Sequence, residues 1–262
     1  MVEAPRIDTR IDERAGGRVA QVTVDHPGKL NILNRALIAA LGEQLTALGR
    51  DESLRAVVLR GAGERAFIGG ADIRDMAALD EPSAREFITL LHRACDAARR
   101  LPVPVIARIE GYALGAGLEV AAACDIRIAS HDARFGMPEV KVGIPSVIEA
   151  ALLPSLIGWG RTRRLLYTGE IIDAAQAERW GLIERSVPNA ELDHAVDEVL
   201  AAILSCGAQA IRLQKALLRE WEDVPLSEAI ARGIARFGEA FKTDEPQRMM
   251  GAFLAGKARR RT

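Results

Sequence analysis

Ala66-Phe67-Ile68-Gly69-Gly70-Ala71-Asp72-Ile73 runs from an apolar segment into a turn of small residues. Gly111-Tyr112-Ala113-Leu114-Gly115-Ala116-Gly117-Leu118-Glu119 repeats that plan, and Met137-Pro138-Glu139 follows. Small residues leave the backbone N–H groups of a turn open to a ligand, and two carboxylates beside them supply acid–base chemistry. The set predicts an enzyme that stabilises an anion. Outward from these turns the chain keeps one beat. A β-branched alternation predicts a strand over 19–24, helical spacing covers 30–48, and the apolar run 56–59 closes at Gly61. Helix 84–99, strand 103–109, helix 117–123 and strand 126–129 continue it. Strands and helices linked by glycine-rich turns indicate layered α/β structure.

Beyond Val187 the pattern is almost wholly helical, over 192–204, 208–221, 227–242 and 246–256. Charged and apolar residues interleave there as in helices packed on one face. Val187-Pro188-Asn189-Ala190 is the boundary this pattern suggests, dividing an active-site core, 1–187, from a helical region, 188–262.

The 262 residues are 49% hydrophobic, enough to bury a sizeable core. Lys plus Arg number 35 against 36 acidic residues, a net charge of -1. That balance offers no general attraction to nucleic acid or an anionic membrane, so neither is an expected partner. Cys95, Cys124 and Cys206 are an odd, widely spaced set without CxxC pairing, which argues against disulfides and a zinc site and fits the cytoplasm. No stretch approaches an uninterrupted transmembrane span. His26, His92, His131 and His194 show no metal spacing, and no serine lies in a GxSxG turn. Gly61-Ala62-Gly63-Glu64-Arg65-Ala66 has the spacing of a dinucleotide-binding turn, but Gly69-Gly70 interrupt the helix such a turn must open.

Glu119 falls in the first turn of a predicted helix and is flanked by Leu118, Val120 and Ala121, so a buried carboxylate is expected. Ala116 keeps an N–H but forbids positive φ, which requires ordinary backbone geometry there. Glu139 lies on an irregular link. Together the two glutamates offer one proton donor and one acceptor, the pair that acid–base catalysis at adjacent atoms requires.

In these segments the chain resembles the crotonase superfamily of enoyl-CoA hydratases and isomerases. The family's GADI turn appears as Gly70-Ala71-Asp72-Ile73 and its GYALGGGxE element as the run from Gly111 to Glu119. Its CDIRIA strand starts at Cys124, and its FGxPE element starts at Phe135. His26-Pro27-Gly28-Lys29-Leu30-Asn31 and Arg248-Met249-Met250-Gly251-Ala252-Phe253 extend the likeness over nearly the whole chain. The resemblance implies a spiral of β-β-α turns with a C-terminal helical region that assembles a homotrimer or a hexamer, as a dimer of trimers. It implies an oxyanion hole from the N–H groups of Ala71 and Ala116, and Glu119 and Glu139 as catalytic acids. Coenzyme A, as part of the substrate, would lie along Lys29, Leu30, Ala66, Ala71, Asp72, Ile73 and Arg74. Phe253 and Lys257 would approach a coenzyme A site, although Lys257 stands one place later than the usual lysine. No metal or other cofactor is implied. The implied activity is addition of water across the α,β double bond of an acyl-CoA thioester. An isomerase or hydrolase of the same superfamily is the alternative, and a non-catalytic acyl-CoA-binding scaffold is a more distant one.

The chain departs from the family at Gly143-Ile144-Pro145-Ser146-Val147-Ile148-Glu149-Ala150, in place of a glycine-rich PGAGGT link. Losing those glycines should fill the wall beside Glu139 and alter acyl preference. Ser146 and Glu149 have the spacing of a capping box, so Glu149 is either a helix cap or a third acid facing the acyl group.

Overall fold

The computed structural model of the chain describes residues 4–259, the side chains of 257–259 lying outside the description. β1 (Arg6–Arg14) and β2 (Gly17–Asp25) pair as an antiparallel hairpin. In β2, Val22 and Val24 are buried while Gln21 and Thr23 are half-buried, the alternation from which the strand was expected. α1 (Arg35–Leu48) starts five residues later than its spacing predicts. Leu30 and Asn31 both have φ of 53°, which no helix admits, and the Asn34 side chain caps the true start by accepting the Leu37 N–H at 2.8 Å.

The chain then makes three similar turns. The first is β3 (Leu54–Gly61), β4 (Ala66–Ile68), α2 (Ile73–Ala77) and α3 (Glu81–Arg100). The second is β5 (Val105–Ile109), β6 (Tyr112–Leu114) and α4 (Ala116–Ala123). The third is β7 (Ile126–Ser130), β8 (Arg134–Gly136), the 3-10 turns Glu139–Val142 and Ile148–Leu152, and α5 (Leu153–Thr168). Each turn adds one strand to each of two sheets. β3, β5 and β7 are parallel neighbours in a six-stranded sheet of order β1-β2-β3-β5-β7-β10, and β4, β6 and β8 are parallel neighbours in a four-stranded sheet of order β4-β6-β8-β9. This is the β-β-α spiral that the resemblance implies. β9 (Ile171–Asp173), α6 (Ala174–Trp180) and β10 (Arg185–Val187) complete the sheets, and a 3-10 turn Asn189–Glu191 leads to α7 (Leu192–Leu204).

Leu37, Leu41 and Leu45 of α1, Phe87 and Leu91 of α3, Leu118 of α4, and Phe67 and Phe135 of the smaller sheet meet in one buried cluster. Each such side chain contributes about 1.5–3 kcal/mol on leaving water. The described residues fall into two compact units that divide after Leu200. The Val187–Ala190 break is therefore a turn within the first unit. Arg108 pairs with Asp193 at 2.5 Å, Arg14 with Asp197 at 2.5 Å and Arg185 with Glu198 at 2.6 Å, ties that hold the start of α7 to the strands.

The second unit contains α8 (Ala208–Glu222), α9 (Leu226–Ala240) and α10 (Glu245–Arg259). Trp221 Nε1 donates to the Ala229 carbonyl at 2.9 Å, and Glu245 accepts the Gln209 and Ala210 N–H groups at the start of α8. No helix among the described residues is long and apolar enough to cross a membrane.

Candidate active site

The β4–α2 turn is held open by its neighbours' hydrogen bonds. Gly69 donates to Leu30 O, Leu33 donates to Gly70 O and Asp72 donates to Leu33 O, each at 2.8 Å. These bonds fix the chain on either side of Ala71, which lines a cavity. α4 supplies the second donor. Ala116 is its first residue, a position whose N–H has no acceptor within a helix, and it lines the same cavity. The glycines on both sides are compulsory. Gly115 has φ of 52°, and a Cβ there would stand 2.6 Å from Glu139 Oε1; a Cβ on Gly117 would stand 2.0 Å from Ile68 O. Ala116 meets neither obstacle and is outside the positive-φ residues, so its methyl is accommodated.

Glu119 is in the first turn of α4 and only 4% exposed. Burial pushes its carboxyl up to about 8, helped by the charges of Glu139 and Glu149 and opposed by the Ala150 and Val147 N–H groups. Glu139 opens the 3-10 turn after β8, and its Oε2 accepts the Ser146 hydroxyl at 2.8 Å. Both glutamates line the cavity, of about 890 Å³, with Ala71, Ala116 and an apolar wall that includes Ile73, Phe87, Ile88, Leu91, Ile144 and Val147. Two small-residue turns and two carboxylates thus line one apolar space. That arrangement can polarise a carbonyl and move protons at adjacent atoms.

Residues 14–259 match the family model for enoyl-CoA hydratase/isomerase. The chain belongs to the enoyl-CoA hydratase/isomerase family. It is 36% identical over 239 residues to short-chain-enoyl-CoA hydratase of Clostridium acetobutylicum, covering 91% of this chain and 92% of that protein. It is also 36% identical over 238 residues to crotonyl-CoA hydratase of Syntrophomonas wolfei, covering 90% and 92%. The crystal structure of enoyl-CoA hydratase from Mycobacterium smegmatis superposes with a TM-score of 0.90 at 30% identity, over 95% of this chain and 96% of that one.

Among the residues expected along coenzyme A, Lys29, Leu30, Asp72 and Arg74 line a second cavity of about 330 Å³ together with Arg65, a cation that the family's motifs did not suggest. Asp72 caps α2 by accepting the Arg74 N–H at 2.9 Å and stands 3.8 Å from Lys29 Nζ. Ala71 and Ile73 lie instead on the larger cavity of this family member. Ala66 lines neither; it is buried in β4, with its carbonyl accepting Asn31 Nδ2 at 2.7 Å. Phe253 is exposed on α10 in the second unit, and the Lys257 side chain lies outside the described residues.

The capping-box reading of Glu149 is overturned. Ser146 is spent on Glu139, and the 3-10 turn Ile148–Leu152 has Val147 at its start with no side-chain cap. Nor is Glu149 among the residues lining the large cavity; it is 3% exposed and paired with His92 Nδ1 at 2.9 Å. His92 carried no motif, and Ser146 was read only as a helix cap. Only their placement in the folded chain connects them to the two carboxylates.

Proposed function

We propose that this chain is an enoyl-CoA hydratase that adds water across the α,β double bond of an acyl-CoA thioester. The observation that carries this is the convergence of the Ala71 and Ala116 turns with Glu119 and Glu139 on one apolar cavity. The Ala71 and Ala116 N–H groups donate to the thioester oxygen as it becomes an enolate oxygen. One such donor is typically worth about 2.7–4 kcal/mol. One carboxyl delivers a proton to the α-carbon while the other carboxylate takes a proton from the water that attacks the β-carbon. The addition proposed is syn. Burial, helped by the Glu139 and Glu149 charges, keeps a proton on Glu119, which is the state this chemistry starts from. Acid, base and electrophile all come from the protein, so the reading calls for no cofactor and takes coenzyme A only as part of the substrate.

Lys29, Arg65 and Arg74 around the smaller cavity supply positive charge for the phosphates of coenzyme A. The assembly proposed is a homotrimer or a dimer of trimers. Leu226, Ile230, Ile234, Phe237 and Phe241 support it, an exposed apolar series at helical spacing on and just beyond α9. Cys95, Cys124 and Cys206, none of them in a disulfide among the described residues, support a cytoplasmic location. The test is a panel of 2-enoyl-CoA thioesters, followed by loss of conjugated absorbance. Turnover confined to 3-enoyl-CoA or saturated thioesters would replace this reading with an isomerase or a hydrolase.

A further inference from the structure

Behind Glu119 lies a carboxylate that the reaction above does not use. Glu149 sits in the 3-10 turn Ile148–Leu152, which packs against both α3 and α4. Its Oε1 contacts His92 Nδ1 at 2.9 Å, and its Oε2 is buried with no hydrogen-bond partner. A buried acidic oxygen without a donor is costly, and such groups persist where they have a task. The backbone marks the same place. Ile148, immediately before Glu149, has φ of 40°, a strained geometry for a β-branched residue. His92 is half-exposed on α3, so the pair connects the interior behind the cavity to solvent.

We propose that Glu149 and His92 form a buried pair that governs the proton on Glu119, with Glu149 a positioning residue that acts through Glu119 and not on the substrate. The titratable and charged groups around Glu149 are His92, Cys95 and Arg99 of α3 and Glu119 of α4; α5 has no charged residue before Arg161. Burial raises the Glu149 carboxyl, while the His92 hydrogen bond and charge, a Cys95 thiol hydrogen bond and the Arg99 charge favour its ionised form, and the Glu149 charge in turn raises Glu119. The Cys95 thiol, also buried here, is pushed up by burial and then by the charges of Glu149 and Glu119, so it stays a neutral neighbour. His92 therefore holds the Glu149 charge that acts on Glu119, and its half-exposed ring links that charge to the surface. Only the kinetic part of the test rests on the hydratase reading.

The experiment is a pH titration of the free enzyme with carboxyl-labelled glutamate, read by carbon NMR, in wild type, Glu149→Gln and His92→Asn. Glu149→Gln removes the charge but keeps the shape, so the Glu119 midpoint should fall by about one pH unit, the scale of a close like charge. His92→Asn keeps a donor but not a cation, so the Glu149 midpoint should rise by a comparable amount. The high-pH limb of kcat/KM on a 2-enoyl-CoA should move with the Glu119 midpoint in Glu149→Gln while KM changes less than kcat. A Glu119 midpoint unmoved in folded Glu149→Gln would overturn the proposal, whatever happens to melting temperature. Should that variant fail to fold, an unmoved Glu149 midpoint in His92→Asn would overturn it equally. Because the NMR titration needs no turnover, absence of hydration would count against the proposed reaction and leave this test standing.

Discussion

A carboxyl held up to about 8, as Glu119 is, carries its proton at neutral pH, whereas an ordinary glutamate at 4.5 does not. Activity that needs one proton on the Glu119–Glu139 pair should therefore fall as pH rises through about 8. The same shift makes stability pH-dependent. Between 4.5 and about 8 the native chain keeps this proton and the unfolded chain loses it, so stability falls as pH rises. Over that interval wild type should lose up to about 1.4 kcal/mol per pH unit relative to Glu119→Gln. Parallel melting curves of the two proteins against pH would refute the burial of a protonated acid. Ser146 makes a separate prediction. Its hydroxyl is a donor to Glu139, so Ser146→Ala should lower kcat roughly tenfold with little change in KM, the effect of about 1.4 kcal/mol. Glu119 and Glu139 were legible because glycine-rich turns flank them. Ser146 and His92 were not, because their partners lie at |i−j| of 7 and 57 and no local pattern encodes that meeting.

The three-residue strands β4, β6 and β8 show what periodicity cannot read. Each is too short to display alternation, and each is defined by its parallel neighbour in the next turn of the spiral. The two functional turns leave two of these strands, so their motifs were visible while their sheet was not. The 30–48 helix erred for a local reason: Leu30-Asn31 is a left-handed pair locked by Asn31, which accepts the His26 N–H at 3.1 Å and donates to Ala62 O and Ala66 O. Asn31→Ala should strip all three bonds and cost roughly 1–3 kcal/mol for each buried group left unpaired, read as a fall in melting temperature. An unchanged melting temperature would mean that this anchor does not hold the β4 turn. The Ile144, Pro145 and Val147 wall bears on substrate. Each methylene that the apolar cavity buries should add about 0.8 kcal/mol, so across a series of 2-enoyl-CoA thioesters from four carbons upward kcat/KM should rise roughly fourfold per CH₂ until the space is filled. A flat or falling profile from four carbons would show that this wall closes the cavity.

At the scale of the whole chain, the α/β core with a helical C-terminal region was readable from sequence, because its strand–turn–helix beat and its family motifs run from end to end. The position of the unit boundary was not. The start of α7 belongs with the first unit, where Leu192, Ala195, Val196 and Leu200 are buried, and burial by distant elements leaves no trace near Pro188. The exposed apolar residues of α9 carry the assembly proposal, and a mass by light scattering of three or six chains is the expected result; one chain would end it. The central claim is that Glu119 and Glu139 together hydrate the double bond while the two backbone N–H groups hold the oxygen. Steady-state hydration of a 2-enoyl-CoA by Glu119→Gln and Glu139→Gln, with product affinity measured alongside, tests it most directly. Each substitution should lower kcat by roughly 10²-fold or more and leave affinity within a few-fold, because each removes a role played only in the transition state. Near wild-type turnover in either variant would contradict the two-carboxylate account.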